Sequence, residues 1–163
     1  MRLEDSGADF LPMKLVVALV AASVLIVIMA SGIDDLLGAY SASQARATAQ
    51  EIAGAALVEY STGCPGEEDG KSISVAIPPS VRLMVFGAAP AENGSPGRIE
   101  RSYYIEYADG ERETFVADVP FADDDFQGVR DQPVVLFPGN YRIEIRPVLL
   151  NGSIKAGIRA EAA

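Results

Sequence analysis

Histidine and tryptophan are absent from this 163-residue chain, and cysteine occurs once, as Cys64. Without histidine the usual zinc donor sets and every His-based catalytic triad drop out. A lone thiol excludes an intrachain disulfide and a thioredoxin-type dithiol. Basic residues are also scarce: 13 Lys+Arg stand against 23 Asp+Glu, a formal charge of −10. Nucleic-acid binding is dominated by neutralising phosphates with Lys and Arg, so it is disfavoured as a function class. At 49% hydrophobic and 22% charged, the composition is apolar for an acidic soluble protein.

The excess of apolar residues sits near the start. From Leu15 to Ile33 there is no charge, with Lys14 before the run and Asp34-Asp35 after it. At 1.5 Å per helical residue, residues 15–33 reach about 28 Å, the thickness of a bilayer's hydrocarbon core. The run is longer than the apolar region of an ordinary secretory signal, although Ala30-Ser31-Gly32 has the composition of a cleavage site. A retained single span is expected, with the membrane as a partner through residues 15–33. Arg2 and Lys14 precede the span and no Lys or Arg follows until Arg46, which places the N-terminus in the cytoplasm and the remainder outside.

Beyond the span the composition stays helical up to Thr62, where Gly63-Cys64-Pro65-Gly66 forms a stop. Ala49, Ile52, Ala53, Ala56, Leu57 and Tyr60 recur at helical spacing as one apolar stripe. Small residues also repeat every fourth position: Ala18 and Ala22; Ala39, Ser43 and Ala47; Ala45, Ala49 and Ala53. Such rows let helix backbones approach closely, and alanine is also simply common in helices. The expected helix-packing residues are Ala18, Ala22, Ala45, Ala49, Ile52, Ala53, Ala56 and Leu57.

After Gly70 the period changes to two. Ile73, Val75 and Ile77 alternate with small residues; Val81, Leu83 and Val85 follow; Tyr103, Ile105 and Tyr107 lead into Asp109-Gly110 and a return strand with Phe115. Residues 88–98 read as a loop and 119–132 as a long connection. Val134–Phe137 is a short buried strand. Tyr141, Ile143 and Ile145 alternate with Arg142, Glu144 and Arg146, and Asn151-Gly152 turns into Ile154, Ala156 and Ile158. The expectation is an α+β chain: a long N-terminal helix, transmembrane then amphipathic, followed by an antiparallel β-sandwich of about seven strands. Its parts are a leader at 1–11, the helix at 12–62, a linker at 63–70 and an extracellular sandwich at 71–163.

Candidate sites are few. Gly70-Lys71-Ser72 ends like a phosphate-binding loop, but Pro65 occupies the first glycine position and acids fill the interior. Asp123-Asp124-Asp125 lacks the spacing of a calcium loop and reads as an acidic surface loop. Asn93-Gly94-Ser95 and Asn151-Gly152-Ser153 match the N-glycosylation pattern, while Asn-Gly is equally the preferred hairpin turn. Cys64 reads as a buried thiol rather than a lipidation site. No nucleophile has a base partner, so neither an enzyme nor a cofactor is expected.

A short polar leader, Met1–Gly7, precedes Phe10-Leu11-Pro12-Met13-Lys14-Leu15-Val16-Val17, which enters the apolar helix; an all-β remainder follows. This arrangement resembles archaeal type IV pilin-like proteins, including archaellin relatives. The resemblance implies removal of the leader by a membrane peptidase, with Gly7-Ala8 as the matching junction, and packing of the apolar helix in a filament core. Pro12 stands where many such pilins carry Glu, and no basic residue immediately precedes Gly7. Two functions are carried forward: a filament subunit, partnered by itself or other pilin-like chains, and a single-pass envelope protein whose sandwich binds an extracellular glycan or surface ligand. Both place the C-terminus outside. Protease added to intact cells should remove an epitope fused after Ala163, and protection until lysis would reverse the orientation.

Overall fold

The structure, a computed structural model, describes residues 10–62, 70–91, 96–125 and 127–163. Helix α1 covers Phe10–Thr62, as expected from a sequence without proline between Met13 and Thr62. The chain forms two compact units, Met1–Tyr40 and Ser41–Ala163.

In the first unit, Met13–Ala30 is long and apolar enough to cross a membrane. Its large side chains are all exposed, and they point in every direction around the helix.

The second unit combines the helical residues from Ser41 onward with nine strands among the described residues. A five-stranded sheet has the order β1 (Lys71–Ile77), β8 (Gly139–Leu150), β9 (Ser153–Ala162), β5 (Phe121–Asp125), β6 (Gly128–Arg130). A four-stranded sheet has the order β4 (Arg112–Val116), β3 (Pro96–Tyr107), β2 (Val81–Pro90), β7 (Val134–Leu136). The architecture is therefore α+β with mostly antiparallel sheets. The exception is β5, which joins β9 in parallel, Phe121 opposite Ala156 and Asp123 opposite Ile158.

Alternation decides the core. Ile143 and Ile145 on β8, Ala156 and Ile158 on β9, and Phe121 on β5 share one buried cluster with Met84, Phe86, Tyr103, Ile105 and Leu136 of the other sheet. Phe86 stacks on Tyr103 and meets Phe121 edge-on, each pair with centroids 5.5 Å apart. The helix completes this cluster with Ala45, Ala49, Ile52, Ala55 and Ala56. Thr48 donates its hydroxyl to the Ala76 carbonyl at 3.3 Å, on edge strand β1. Arg46 donates Nε to Glu113 Oε2 at 2.6 Å, on β4, the edge of the other sheet. Residues 41–62 thus close the gap between the two sheet edges, one of the ways proteins protect unpaired strands.

Several expectations are corrected. The buried helical stripe is Ala45, Thr48, Ala49, Ile52, Ala55 and Ala56, whereas Leu57 is 41% exposed and Ala53 only half-buried. The small residues win because they let the helix approach the sheets. The boundary drawn between a helix at 12–62 and a domain at 71–163 separates parts that share one core. Residues 119–132 contain β5 and β6 rather than a plain connection, because Phe121 and Ala122 are buried and Asp124 and Asp125 are paired with arginines. The 88–98 loop is shorter than read, since β2 runs to Pro90 and β3 starts at Pro96. The turn at Asp109-Gly110 takes four residues, 108–111, with Asp109 Oδ1 accepting the Glu111 amide at 2.9 Å.

Two measurements follow. A fragment 41–163 should melt cooperatively, whereas 71–163, stripped of five core residues, should not; equal melts would show that the helix is dispensable. Within 41–163, Ile143→Ala should cost about 2–5 kcal/mol and Glu144→Ala under about 1 kcal/mol.

Candidate functional site

The exposed apolar surface of the first unit is the most extensive candidate. Leucine, valine, isoleucine and alanine fill residues 15–28 apart from Ser23, so no side of the helix is polar enough to face water alone. Ala18 and Ala22 lie on this surface, exposed. Around Asp34-Asp35 the large apolar residues narrow to Ile33, Leu36, Leu37 and Tyr40, the i, i+3, i+4, i+7 spacing of one helical face. Leu36 is 73% exposed, Leu37 61% and Tyr40 70%.

The packing residues expected further along are placed differently. Ala45, Ala49, Ile52 and Ala56 are covered by the chain's own strands, so they are not open to a second helix. Ala53 packs against the same cluster in part, and Leu57 points outward. The leader junction Gly7-Ala8, the sequon at Asn93 and Cys64 lie outside the described residues. Asn151 and Gly152 both have positive φ, 52° and 76°, the geometry of a two-residue hairpin turn between β8 and β9. Asn151 Nδ2 donates to Asp131 at 3.3 Å and Ser153 Oγ to the Leu150 carbonyl at 3.0 Å. The turn by itself therefore accounts for Asn-Gly-Ser.

Two buried carboxylates escaped the sequence reading. Asp124, expected in a surface loop, is 1% exposed on β5. It accepts Arg146 Nε at 2.6 Å, Arg146 Nη2 at 3.1 Å and Arg159 Nη2 at 3.2 Å. Gly157, opposite Ala122, makes this possible: a Cβ there would sit 2.8 Å from Val148 Cγ1 and 3.3 Å from Asp124 Cβ. On the other sheet Glu106, also 1% exposed, is gripped by Arg82 and by Arg112 Nε at 2.9 Å. Arg112 stands directly opposite Glu106 in the strand register. In each case two guanidinium groups satisfy one carboxylate, a structural use of charge. The Glu106–Arg112 pair was legible from alternation across the β3–β4 hairpin; Asp124 was not, because its partners lie on strands distant in sequence.

Burial beside Asp125 and Asp124 pushes the Asp123 carboxyl above its usual range, despite Arg130 nearby. Asp123 and Asp125 border an open pocket of about 330 Å³ with Val134, Leu136 and Arg159. Among the described residues no group of three His, Cys, Asp or Glu is arranged to hold a metal. Gly70-Lys71-Ser72 leads into strand β1, not into a helix.

No family model, curated protein or solved structure matches this chain. The side chains themselves therefore carry the functional argument, and they divide between an exposed apolar helix and a set of satisfied ion pairs.

The ion pairs make two predictions. Asp124→Asn, which removes the buried anion that Arg146 and Arg159 share while Arg159 keeps Glu144, should cost about 3–5 kcal/mol in denaturant titrations of 41–163. The Arg46 hydrogen bond holds the Glu113 carboxyl below its usual range. Its stabilisation is complete above the unfolded value near 4.5 and disappears as pH falls through the folded one. Melting temperatures of the native chain and Glu113→Gln should thus differ at neutral pH and converge in acid.

Proposed function

We propose that the chain is a structural subunit of a cell-surface filament, assembling through its N-terminal helix with copies of itself or related pilin-like chains. The observation that carries this reading is the apolar surface continuing past the acids at 34–35, with Leu36, Leu37 and Tyr40 exposed. A membrane anchor needs apolar residues only over the hydrocarbon, about 20 of them. Apolar side chains recur from Met13 to Tyr40, 28 residues or roughly 42 Å of helix broken by Lys14, Asp34 and Asp35, which is more than the hydrocarbon can cover. In this reading the N-terminus is cytoplasmic, the chain is drawn from the membrane into the polymer, and the two sheets form an acidic β-sandwich facing solvent.

The alternative is a single-pass envelope protein whose sandwich binds an extracellular glycan or surface ligand. What favours it is the use of Ala45, Ala49, Ile52 and Ala56 in the chain's own core, which removes one reason for a small-residue helix beyond the membrane. The rows at Ala18 and Ala22 separate the two. Replacing both by Leu keeps helix propensity and hydrophobicity while forcing neighbouring backbones apart. A filament subunit should lose sedimentable surface fibres, seen by negative-stain microscopy of shear fractions, with the variant still inserted. An anchored binding protein should be indifferent, and absence of fibres from the unmodified chain would favour it.

A further inference from the structure

Along β2 and β3 the register is regular from Met84, opposite Ile105, to Phe86, opposite Tyr103, and then breaks: Ala88 stands opposite Ile99, so two residues of β2 match four of β3. The break falls at Gly87, whose φ of 93° suits glycine and few other residues. Its effect shows in the direction Ala88 takes. By alternation Ala88 would follow Met84 and Phe86 into the main core. It is instead fully buried with Val85 and Tyr104 in a separate cluster, against which Leu83 and Val135 pack, on the outer face of the four-stranded sheet.

Beyond the break the hairpin folds back over that face. Run straight on, Ala91 would lie roughly 16 Å past Phe86, with Glu106 and its neighbour Arg112 about 10 Å to the other side. Arg112 Nη1 nevertheless donates to the Ala91 carbonyl at 3.3 Å. The cover spans β2 and β3 only, because Thr114 and Val116, opposite Tyr104 and Ser102 on β4, are exposed. Beneath it Tyr104 is 1% exposed and Ser102 7%, and neither hydroxyl has a hydrogen-bond partner. Closing the cover thus takes two hydroxyls from water and gives them no replacement. The described contacts that hold it down, the Ala88 methyl and the Arg112 bond, are modest beside that cost.

We propose that residues 88–91 and 96–99 form a flap, hinged at Gly87, that lifts from the outer face of the four-stranded sheet while both sheets stay folded. Its two strands move together, since Gly97 packs so closely that a Cβ there would lie 2.7 Å from the Ala89 carbonyl oxygen. Opening hydrates Tyr104 and Ser102 and bares Leu83, Val85 and Val135 beside the exposed Thr114 and Val116. A covered face becomes an apolar, hydroxyl-bearing surface. The main core is untouched, because Met84, Phe86, Tyr103 and Ile105 belong to the other side of the sheet. The motion is confined to the Ser41–Ala163 unit and does not depend on what the N-terminal helix assembles with.

The test uses the full-length chain in detergent micelles. Amide exchange followed by mass spectrometry should show 88–91 and 96–99 exchanging as one group, about tenfold or more faster than Met84 and Ile105 in the same pair of strands. Equal rates would mean that the flap opens only when the whole unit unfolds, and would overturn the proposal. Exposure of the face is read separately with Cys64→Ser removing the native thiol. Val85→Cys, under the flap, should react with a maleimide about tenfold or more faster than Ile143→Cys in the main core; equal labelling also overturns it. Tyr104→Phe keeps the ring and removes one unpartnered hydroxyl from the closed state, so it should slow Val85→Cys labelling about tenfold. Unchanged or faster labelling would refute the role given to that hydroxyl and with it the flap as proposed. If a cysteine variant fails to fold, the exchange comparison decides, because it uses the unmodified chain.

Discussion

Everything in the Ser41–Ala163 unit depends on one contact: a helix face of alanines laid against the open edges of two sheets. Ala45, Ala49, Ala55 and Ala56 contribute little apolar area each, and Ile52 is the only large side chain among the helix residues that are fully buried. Their smallness is the point, since a leucine row would hold the helix too far out for Thr48 to reach the Ala76 carbonyl or Arg46 to reach Glu113. The contact converts two separate sheet edges into one closed flank. The opposite flank is managed differently, by edge strands β6 and β7 of only three residues each.

Charge is handled in the same economical way on the outer faces. Of 13 basic residues, Arg46, Arg82, Arg112, Arg130, Arg146, Arg159 and Lys155 are engaged with carboxylates. The chain's net charge of −10 is thus carried mainly by acids other than the two buried ones, which keeps the surface repulsive toward other copies except where the apolar helix intervenes. The ion pairs of the β unit and the exposed apolar surface of the helix lie in different parts of the chain.

How much of this was legible beforehand varied with the kind of signal. The uncharged run from Leu15 to Ile33 and the alternation of Tyr141, Ile143 and Ile145 are strong one-dimensional patterns, and both reappear in the structure. Alanine is ambivalent: it suits the buried face, the exposed face and a partner helix equally, so the expected stripe holds at Ala49, Ile52 and Ala56 but takes in the exposed Leu57 and leaves out the buried Ala55. Asp124 failed for the opposite reason. Three consecutive aspartates look like a solvated loop unless one knows that Arg146 and Arg159, 22 and 35 residues away, converge on the middle one. The parallel β5–β9 pairing was invisible on the same grounds. The exposed apolar surface is legible as hydropathy, and its continuation through Leu36, Leu37 and Tyr40 is there in the letters, though the acids between set the expected boundary at Ile33.

The strand order of the five-stranded sheet bears on how the molecule can be made. Strands β8 and β9, the latest in chain order among the described strands, occupy its second and third positions, between β1 on one side and β5 on the other. Until they emerge, β1 and β5 have no hydrogen-bonding partners in that sheet besides β6, and the helix has only one finished edge to rest on. The four-stranded sheet, whose members are all complete by Leu136, can organise first. A chain interrupted anywhere before Tyr141 would therefore lack the second and third strands of that sheet, with the Ile143, Ile145, Ala156 and Ile158 side chains of the core. Closing the five-stranded sheet thus waits on the β8–β9 hairpin, which brings both flanking strands their partners at once.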